Sequence, residues 1–346
     1  MGAEITADAV EAPPLKPLKL KSRLASKPST GPKWSVQVKD ASGNDVVVAD
    51  PRATRAAVAL MDIHAVVGGA ACHWGGPAAF AEVNAAIHSV MFAADGEWYD
   101  SFNYINDAGH AENGVYALRA NWGFDGLDLD ALKKFRSIES KLTGHGESHL
   151  NPEGVLMSNG PLGSSLPQAQ GLALADKVAG NERVTICVVS DGASMEGEAK
   201  EAFAAIPGLA SKGLVSPFVM IVSDNDTKLS GRITDDAFSM QPTLEAMAVL
   251  GWQVIKVDNG HDLQAVYTAV ETAVATTRAD ANKPVCIWLK TIKGYGIKAT
   301  EENAAGGHGF PLKHGEKALE WVSEIYSGGE VPAEFTAWAT TLRGEW

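Results

Sequence analysis

Two oxygen-bearing side chains occupy matching places in the chain. Asp191 follows the apolar run RVTICVVS (183–190), and Asn225 follows the next, PFVMIVSD (217–224). If the runs are neighbouring parallel strands, both side chains come within reach of one hard cation. Mg²⁺ takes few protein oxygens and completes its shell with phosphate oxygens and water. A backbone carbonyl just beyond Asn225, in the DNDTKLSG loop, would complete the protein's share. A helix starting near Ser194 would aim its N-terminus at a diphosphate held there. Taken singly, Asp191 and Asn225 read better as turn-formers, which Asp and Asn commonly are. As a pair on consecutive strands they favour the metal. Glu196, one turn further on, reads as ordinary helix-start charge suited to the dipole. Three histidines complete the inventory: His110, His145 and His308 each follow a glycine in a loop, a context less suited to core packing. Such a histidine can donate to phosphate or move protons near neutral pH. His64 and His261 read as structural.

The elements that must position these groups are regular from about residue 180. RVTICVVS, PFVMIVSD, WQVIKVDN (252–259) and PVCIWLKT (284–291) are short, β-rich and nearly continuous in apolarity. Helical stretches over roughly 194–213, 240–250 and 262–277 separate them. Strands buried on both faces and joined by helices mean a parallel sheet with helices on both faces, a doubly wound α/β domain. Each strand ends in polar, Gly-containing text, and ligands of such sheets bind beyond the carboxyl ends. Upstream, residues 1 to about 33 form a Pro/Lys/Ala/Ser segment that reads as an extended arm. WSVQVKDASGNDVVVA suggests a hairpin. Asp50 reads as an N-cap with Pro51 at the first helical position. PAAFAEVNAAIHSVMF reads as a helix with Phe80, Val83, Ile87, Val90 and Met91 on one face. The organisation is therefore an arm and hairpin over 1–50 and one α/β domain over 51–346.

Composition narrows the functions. The chain has 346 residues, 45% hydrophobic, and a formal charge of −13, which argues against nucleic acid or an anionic membrane as partner. A phosphorylated ligand stays compatible, because a metal ion and helix N-termini supply local positive potential. The three cysteines, Cys72, Cys187 and Cys286, show no C-x-x-C pairing and fit a reducing compartment. With no stretch of membrane-spanning length and no signal-peptide core, the cytoplasm is the expected location. There is no P-loop, no G-x-G-x-x-G after a strand, and no G-x-S-x-G elbow around Ser194.

SDGASMEGEAKEAF followed by IVSDNDTKLSG resembles the thiamine diphosphate motif, and the wider chain resembles the N-terminal, diphosphate-binding domain of transketolase. GHAENGVYALRANWGFDGLDLDALKKFR (109–136), LTGHGESHLNPEG, SNGPLGSSLPQAQGLALADK, GWQVIKVDNGHD and KTIKGYGIKATEENAAGGHGFPL are similar to that family's landmarks, in order, over roughly 55–315. The resemblance implies that Asp191, Asn225 and the carbonyl of Thr227 hold Mg²⁺, or Ca²⁺ or Mn²⁺ in its place. It implies that Gly192, His110 and His308 contact the diphosphate and that Gly160 and Leu162 line the thiazolium and pyrimidine site. His145, with His110 and His308, would face a small carbonyl substrate. Glu196 would join the contacts between paired active sites. The implied reaction moves a two-carbon ketol unit between a ketose and an aldose, as sugar phosphates.

Departures from the family pattern set further expectations. Ser190 stands in place of the first glycine of Gly-Asp-Gly, and Asp226 adds charge beside the expected metal. The family's early active-site histidine aligns best with Ala70, so either His73 takes over or that contact is missing. A missing histidine would favour the alternative of a 2-oxo acid decarboxylating subunit, or a non-catalytic homologue that keeps the fold. The arm and hairpin lie outside the family core. The family's pyrimidine-binding domain lies beyond the end of the chain, which implies one subunit of a split enzyme, completed by a pyrimidine-binding partner as α₂β₂.

Overall fold

The computed structural model describes residues 22–309 and 315–344, so the first part of the arm, residues 1–21, lies outside it. Strands β1 (Ser35–Lys39) and β2 (Asp45–Ala49) form an antiparallel hairpin. Asp40 closes its turn, accepting the backbone N–H groups of Ser42 and Asn44 at 2.9 and 2.8 Å.

Five strands build one parallel sheet: β3 (Phe102–Asn106), β4 (Val184–Ser190), β5 (Phe218–Asp224), β6 (Gln253–Val257) and β7 (Val285–Lys290). Their order is β3-β4-β5-β7-β6. Side chains alternate between two apolar layers, as a pleated sheet requires. Val184, Ile186, Val188, Val219 and Ile221 share one layer, whereas Cys187, Val189, Met220 and Val222 enter the other.

The described residues hold eight longer helices: α1 (Pro51–Val67), α2 (Ala81–Phe92), α3 (Glu112–Trp122), α4 (Ser165–Ala179), α5 (Gly197–Ala210), α6 (Leu263–Ala279), α7 (Ala318–Ile325) and α8 (Ala333–Gly344). α2, α3 and α6 cover the first layer, and α4 and α5 the second. α1 runs through a third apolar cluster closed by α7 and α8. It is capped as its sequence predicts: Asp50 Oδ1 accepts the Arg52 N–H at 2.9 Å, and Pro51 follows at the first position. The α/β class and parallel sheet agree with the sequence reading.

Local differences have physical causes. β3 was not expected, because FNYIN carries two asparagines and no apolar run. Its polar groups are buried in pairs: Asn103 donates to Asp176 at 2.7 Å and Asn106 to Glu112 at 2.8 Å. β6 is an edge strand with Gln253 and Lys256 exposed, not buried on both faces, and it stops at Val257. The helix expected from 194 begins at Gly197; Ala193–Met195 is a 3₁₀ turn, and Glu196 between them is extended at φ −67°, ψ 147°. The helix expected across PAAFAEVNAAIHSVMF breaks at Phe80. Phe80, Val83, Ile87 and Met91 do face the core, yet Glu82, Asn84 and His88 on the other side are buried too.

Candidate active site

β4 and β5 lie side by side with Ser190 opposite Ser223, so Asp191 and Asn225 leave the sheet together. Asp191 is 1% exposed and already spans the two strand ends. Its Oδ1 accepts the Gly192 N–H at 2.8 Å, and its Oδ2 accepts those of Asn225 and Asp226 at 2.8 and 2.6 Å. Burial, against these donors and aided by neighbouring Asp224, pushes its carboxyl up to about 7. A cation alongside would pull it back down. The side-chain oxygen of Asn225 is buried and meets no hydrogen-bond partner among the described residues. An orphaned buried oxygen costs about 1–3 kcal/mol, and a hard cation beside it would remove that cost. The residues present therefore fit a metal ion.

Thr227 lies on the loop that follows. Its hydroxyl donates to the Asn225 carbonyl at 3.0 Å and accepts from Arg232 Nη1 at 2.8 Å. The charge expected beside the metal at Asp226 is turned elsewhere. Its backbone is left-handed, φ 55°, and its Oδ1 accepts the Thr234 N–H and hydroxyl at 2.9 and 2.6 Å.

Gly192 has an ordinary helical backbone, φ −60°, ψ −44°, and a Cβ there would meet nothing within 4 Å. Neither conformation nor protein crowding asks for glycine there, and the position borders the cleft. Ser190 is at home in its place: its hydroxyl accepts the Ala193 N–H at 3.1 Å, and its carbonyl accepts from Ser194 Oγ at 2.9 Å.

The Gly160–Leu162 loop is held by a residue the sequence reading missed. Asp107, fully buried after β3, accepts the Gly163 and Ser165 N–H groups at 3.0 and 2.8 Å and so starts α4. Burial raises its carboxyl to about 6. Gly163, at φ 80°, lies so close to Glu196 that a Cβ would stand 2.6 Å from the Glu196 Cβ. That contact sets Leu162 and exposed Glu196 together at the cleft mouth.

Four histidines converge over the strand ends. His110 sits on the turn after β3, and His145 on a loop pinned by Asn159, whose Oδ1 accepts the Gly146 N–H at 2.7 Å. His73 and His308 come together because residues 73–75 pair with 307–309, through Trp74 N–H to His308 O at 3.2 Å and Gly75 N–H to Gly307 O at 3.0 Å. The ring of His73 lies 5.5, 6.2 and 5.1 Å from those of His110, His145 and His308. His73 thus joins the other three rings in space, and Ala70 packs against the α1 layer. Burial keeps all four neutral at pH 7, lowering His73 to about 4 and His308 to about 3, with Arg136 and Lys293 adding to the effect.

Lys293 also escaped the sequence reading, although its place beyond β7 in KTIKGYG was a signal. It is 5% exposed, faces the cleft, and is lowered by burial to about 8. His261 and His64 are structural. His261 Nε2 accepts the Ile292 N–H at 2.8 Å with its ring stacked on Tyr295, and His64 meets Trp338 Nε1 at 3.3 Å.

One cleft of about 450 Å³ gathers His110, His145, Gly160, Leu162, Asp191, Gly192, Glu196, Asn225, Thr227 and His308, together with His73 and Lys293. It can hold a divalent cation and an anionic group at the strand ends, beneath neutral imidazoles able to donate or accept.

The family described as "Transketolase, thiamine diphosphate binding domain" matches residues 52–337, starting just after the hairpin. Transketolase 1 of Pasteurella multocida is 30% identical over 84% of this chain and 44% of its own length. The transketolase of Nostoc sp. is 33% identical over 64% of this chain and 33% of its own. A Campylobacter jejuni transketolase crystal structure superposes with a TM-score of 0.65 at 25% identity, covering 85% of this chain and 46% of that one. A Pichia stipitis transketolase mutant solved with xylulose 5-phosphate gives a TM-score of 0.66, also at 25% identity, over 85% and 44%. The chain thus spans less than half the length of these relatives. It belongs to the transketolase family and carries that family's thiamine diphosphate-binding domain.

Proposed function

We propose that the cleft binds thiamine diphosphate with Mg²⁺, replaceable by Ca²⁺ or Mn²⁺, and transfers a two-carbon ketol unit between sugar phosphates. The observation that carries the reading is the Asp191–Asn225 pair on adjacent strand ends, with the Asn225 oxygen left unpaired. Asp191, Asn225 and the Thr227 carbonyl hold the cation. Gly192 leaves room for the diphosphate, and His110 and His308 donate to it. Gly160 and Leu162 line the ring site. When bound, thiamine diphosphate supplies a nucleophilic carbon and an electron sink for carbonyl chemistry. His145 and His73 orient the substrate's carbonyl and hydroxyls, and their neutrality leaves one nitrogen of each to donate and one to accept. Glu196, exposed at the mouth beside Leu162, reaches toward a paired active site. Calorimetry of thiamine diphosphate with Mg²⁺ tests the site: Asp191→Ala should abolish binding, and unchanged binding overturns the assignment.

The chain acts as one subunit of a split enzyme, completed by a pyrimidine-binding partner in an α₂β₂ assembly. One observation supports this: Leu162 and Leu229 stand 40% and 70% exposed at the cleft mouth. Apolar side chains placed there suit burial under a second polypeptide. The 2-oxo acid and non-catalytic alternatives were motivated by Ala70 and Ser190, and both lose that motive once His73 joins the cluster and Ser190 caps its turn. The cytoplasm is the proposed location, in keeping with three buried, unpaired cysteines. Among the described residues no helix is long and apolar enough to cross a membrane.

A further inference from the structure

His308 enters the cleft with one ring nitrogen already engaged. Its Nδ1 lies 2.8 Å from Nζ of Lys293, and the same Nζ lies 3.3 Å from the Lys228 carbonyl oxygen. An ammonium group only donates, so a lysine set between a carbonyl and a ring nitrogen donates to both. Among the described residues Lys293 is in no ion pair, and the Asp191 carboxylate acts on it through its charge, favouring the ammonium form. Its path to His308 is cleared by two glycines. A Cβ at Gly75 would stand 2.8 Å from Lys293 Cγ, and one at Gly306 would stand 2.6 Å from Lys293 Cβ. Gly75 belongs to, and Gly306 borders, the paired segments that bring His73 and His308 together. A ring nitrogen that accepts carries no proton, so a neutral imidazole must carry its proton on the other nitrogen.

We propose that Lys293 is a positioning residue that fixes His308 in the Nε2–H tautomer, so that His308 meets a ligand as a hydrogen-bond donor and not as a base. The positive charge beside the ring also disfavours a second proton on it, in line with its lowering to about 3. Among the described residues, His308 is the one of the four clustered histidines with a ring nitrogen at hydrogen-bond distance from a cation.

The tautomer is a property of the chain itself, whereas the donation to an anionic ligand rests on the proposed function. Long-range ¹H–¹⁵N correlation spectra of the full chain, labelled at histidine ring nitrogens and recorded at neutral pH, read the tautomer directly. The His308 signals are assigned by their loss in His308→Gln. The expected pattern is a bare Nδ1 and a protonated Nε2. Lys293→Met should shift the ring nitrogens toward the Nδ1–H form, and Lys293→Arg, which keeps a donor, should restore the original pattern. A wild-type ring in the Nδ1–H form overturns the proposal, and so does an unchanged spectrum in Lys293→Met. If the methionine variant does not fold, the wild-type spectrum still decides. Thiamine diphosphate binding is scored separately: its absence with the expected tautomer would count against the proposed function alone.

Discussion

Asn225→Ala separates a metal ligand from a turn-former, because the two roles predict opposite effects. The backbone contacts of Asn225 survive the substitution: its N–H still donates to Asp191 at 2.8 Å, and its carbonyl still accepts from Thr227 and Arg232. Its φ is not left-handed, so alanine fits without strain. What disappears is a buried oxygen with no protein partner. Leaving such an oxygen unpaired costs about 1–3 kcal/mol, so the ligand-free variant should be as stable as the wild type, or more stable by up to that amount. Removing one of few protein ligands should weaken cation-dependent cofactor binding by more than about 10-fold, the least that even a supporting residue usually costs. Urea denaturation of the ligand-free chain gives the first quantity, and calorimetry with thiamine diphosphate and Mg²⁺ on the chain mixed with a pyrimidine-binding polypeptide gives the second. A variant destabilised by more than about 1 kcal/mol with unchanged cofactor affinity would refute the reasoning, because that is the signature of a lost turn.

Three further substitutions test the supporting geometry. Asp226→Asn should leave Mg²⁺ affinity within about 3-fold, since the carboxylate is engaged by Thr234; a change beyond about 10-fold in a metal titration would place that charge at the cation after all. Asp107→Ala strips the acceptor from two buried N–H groups and should cost about 2–4 kcal/mol in denaturant unfolding, with a weaker cofactor complex; a loss below about 1 kcal/mol would remove Asp107 as the anchor of the Gly160 loop. His110 is held well below its ordinary range by burial, so below pH 6.5 the unfolded chain takes up a proton that the folded chain refuses. Stability should therefore fall with falling pH, by at most about 1.4 kcal/mol per unit from this group, and His110→Gln should flatten the dependence between pH 6.5 and 5. An unchanged slope in ligand-free unfolding at those two pH values contradicts it.

The strands that carry Asp191 and Asn225 were legible because a strand buried on both faces must be almost continuously apolar, and β4, β5 and β7 are. β3 was illegible for the converse reason. Asn103 is satisfied inside by Asp176 and Thr185 and Asn106 by Glu112, partners that lie far off in sequence or on the following helix. The helix across residues 81–92 misled differently: a one-face pattern was present, but Arg55 and His261 reach over to satisfy Glu82, so the polar face is interior as well. At the site, Asp191 and Asn225 were legible at strand ends and His110, His145 and His308 after loop glycines, and all five line the cleft. Asp107 was missed because a lone aspartate carries no pattern until the fold buries it, and Lys293 because its place beyond β7 does not show that it is buried. The place of His73 in the cluster was illegible because it depends on the pairing of 73–75 with 307–309, segments far apart in sequence.

The most direct test of the central claim is turnover by the purified chain, alone and mixed with a pyrimidine-binding partner, in the presence of thiamine diphosphate and Mg²⁺. The assay follows two-carbon transfer from a ketose phosphate to an aldose phosphate. Transfer is expected only from the mixture and should be lost with Asp191→Ala. Full turnover by the chain alone would contradict the split enzyme, and a mixture that transfers equally well with Asp191→Ala would contradict the site itself.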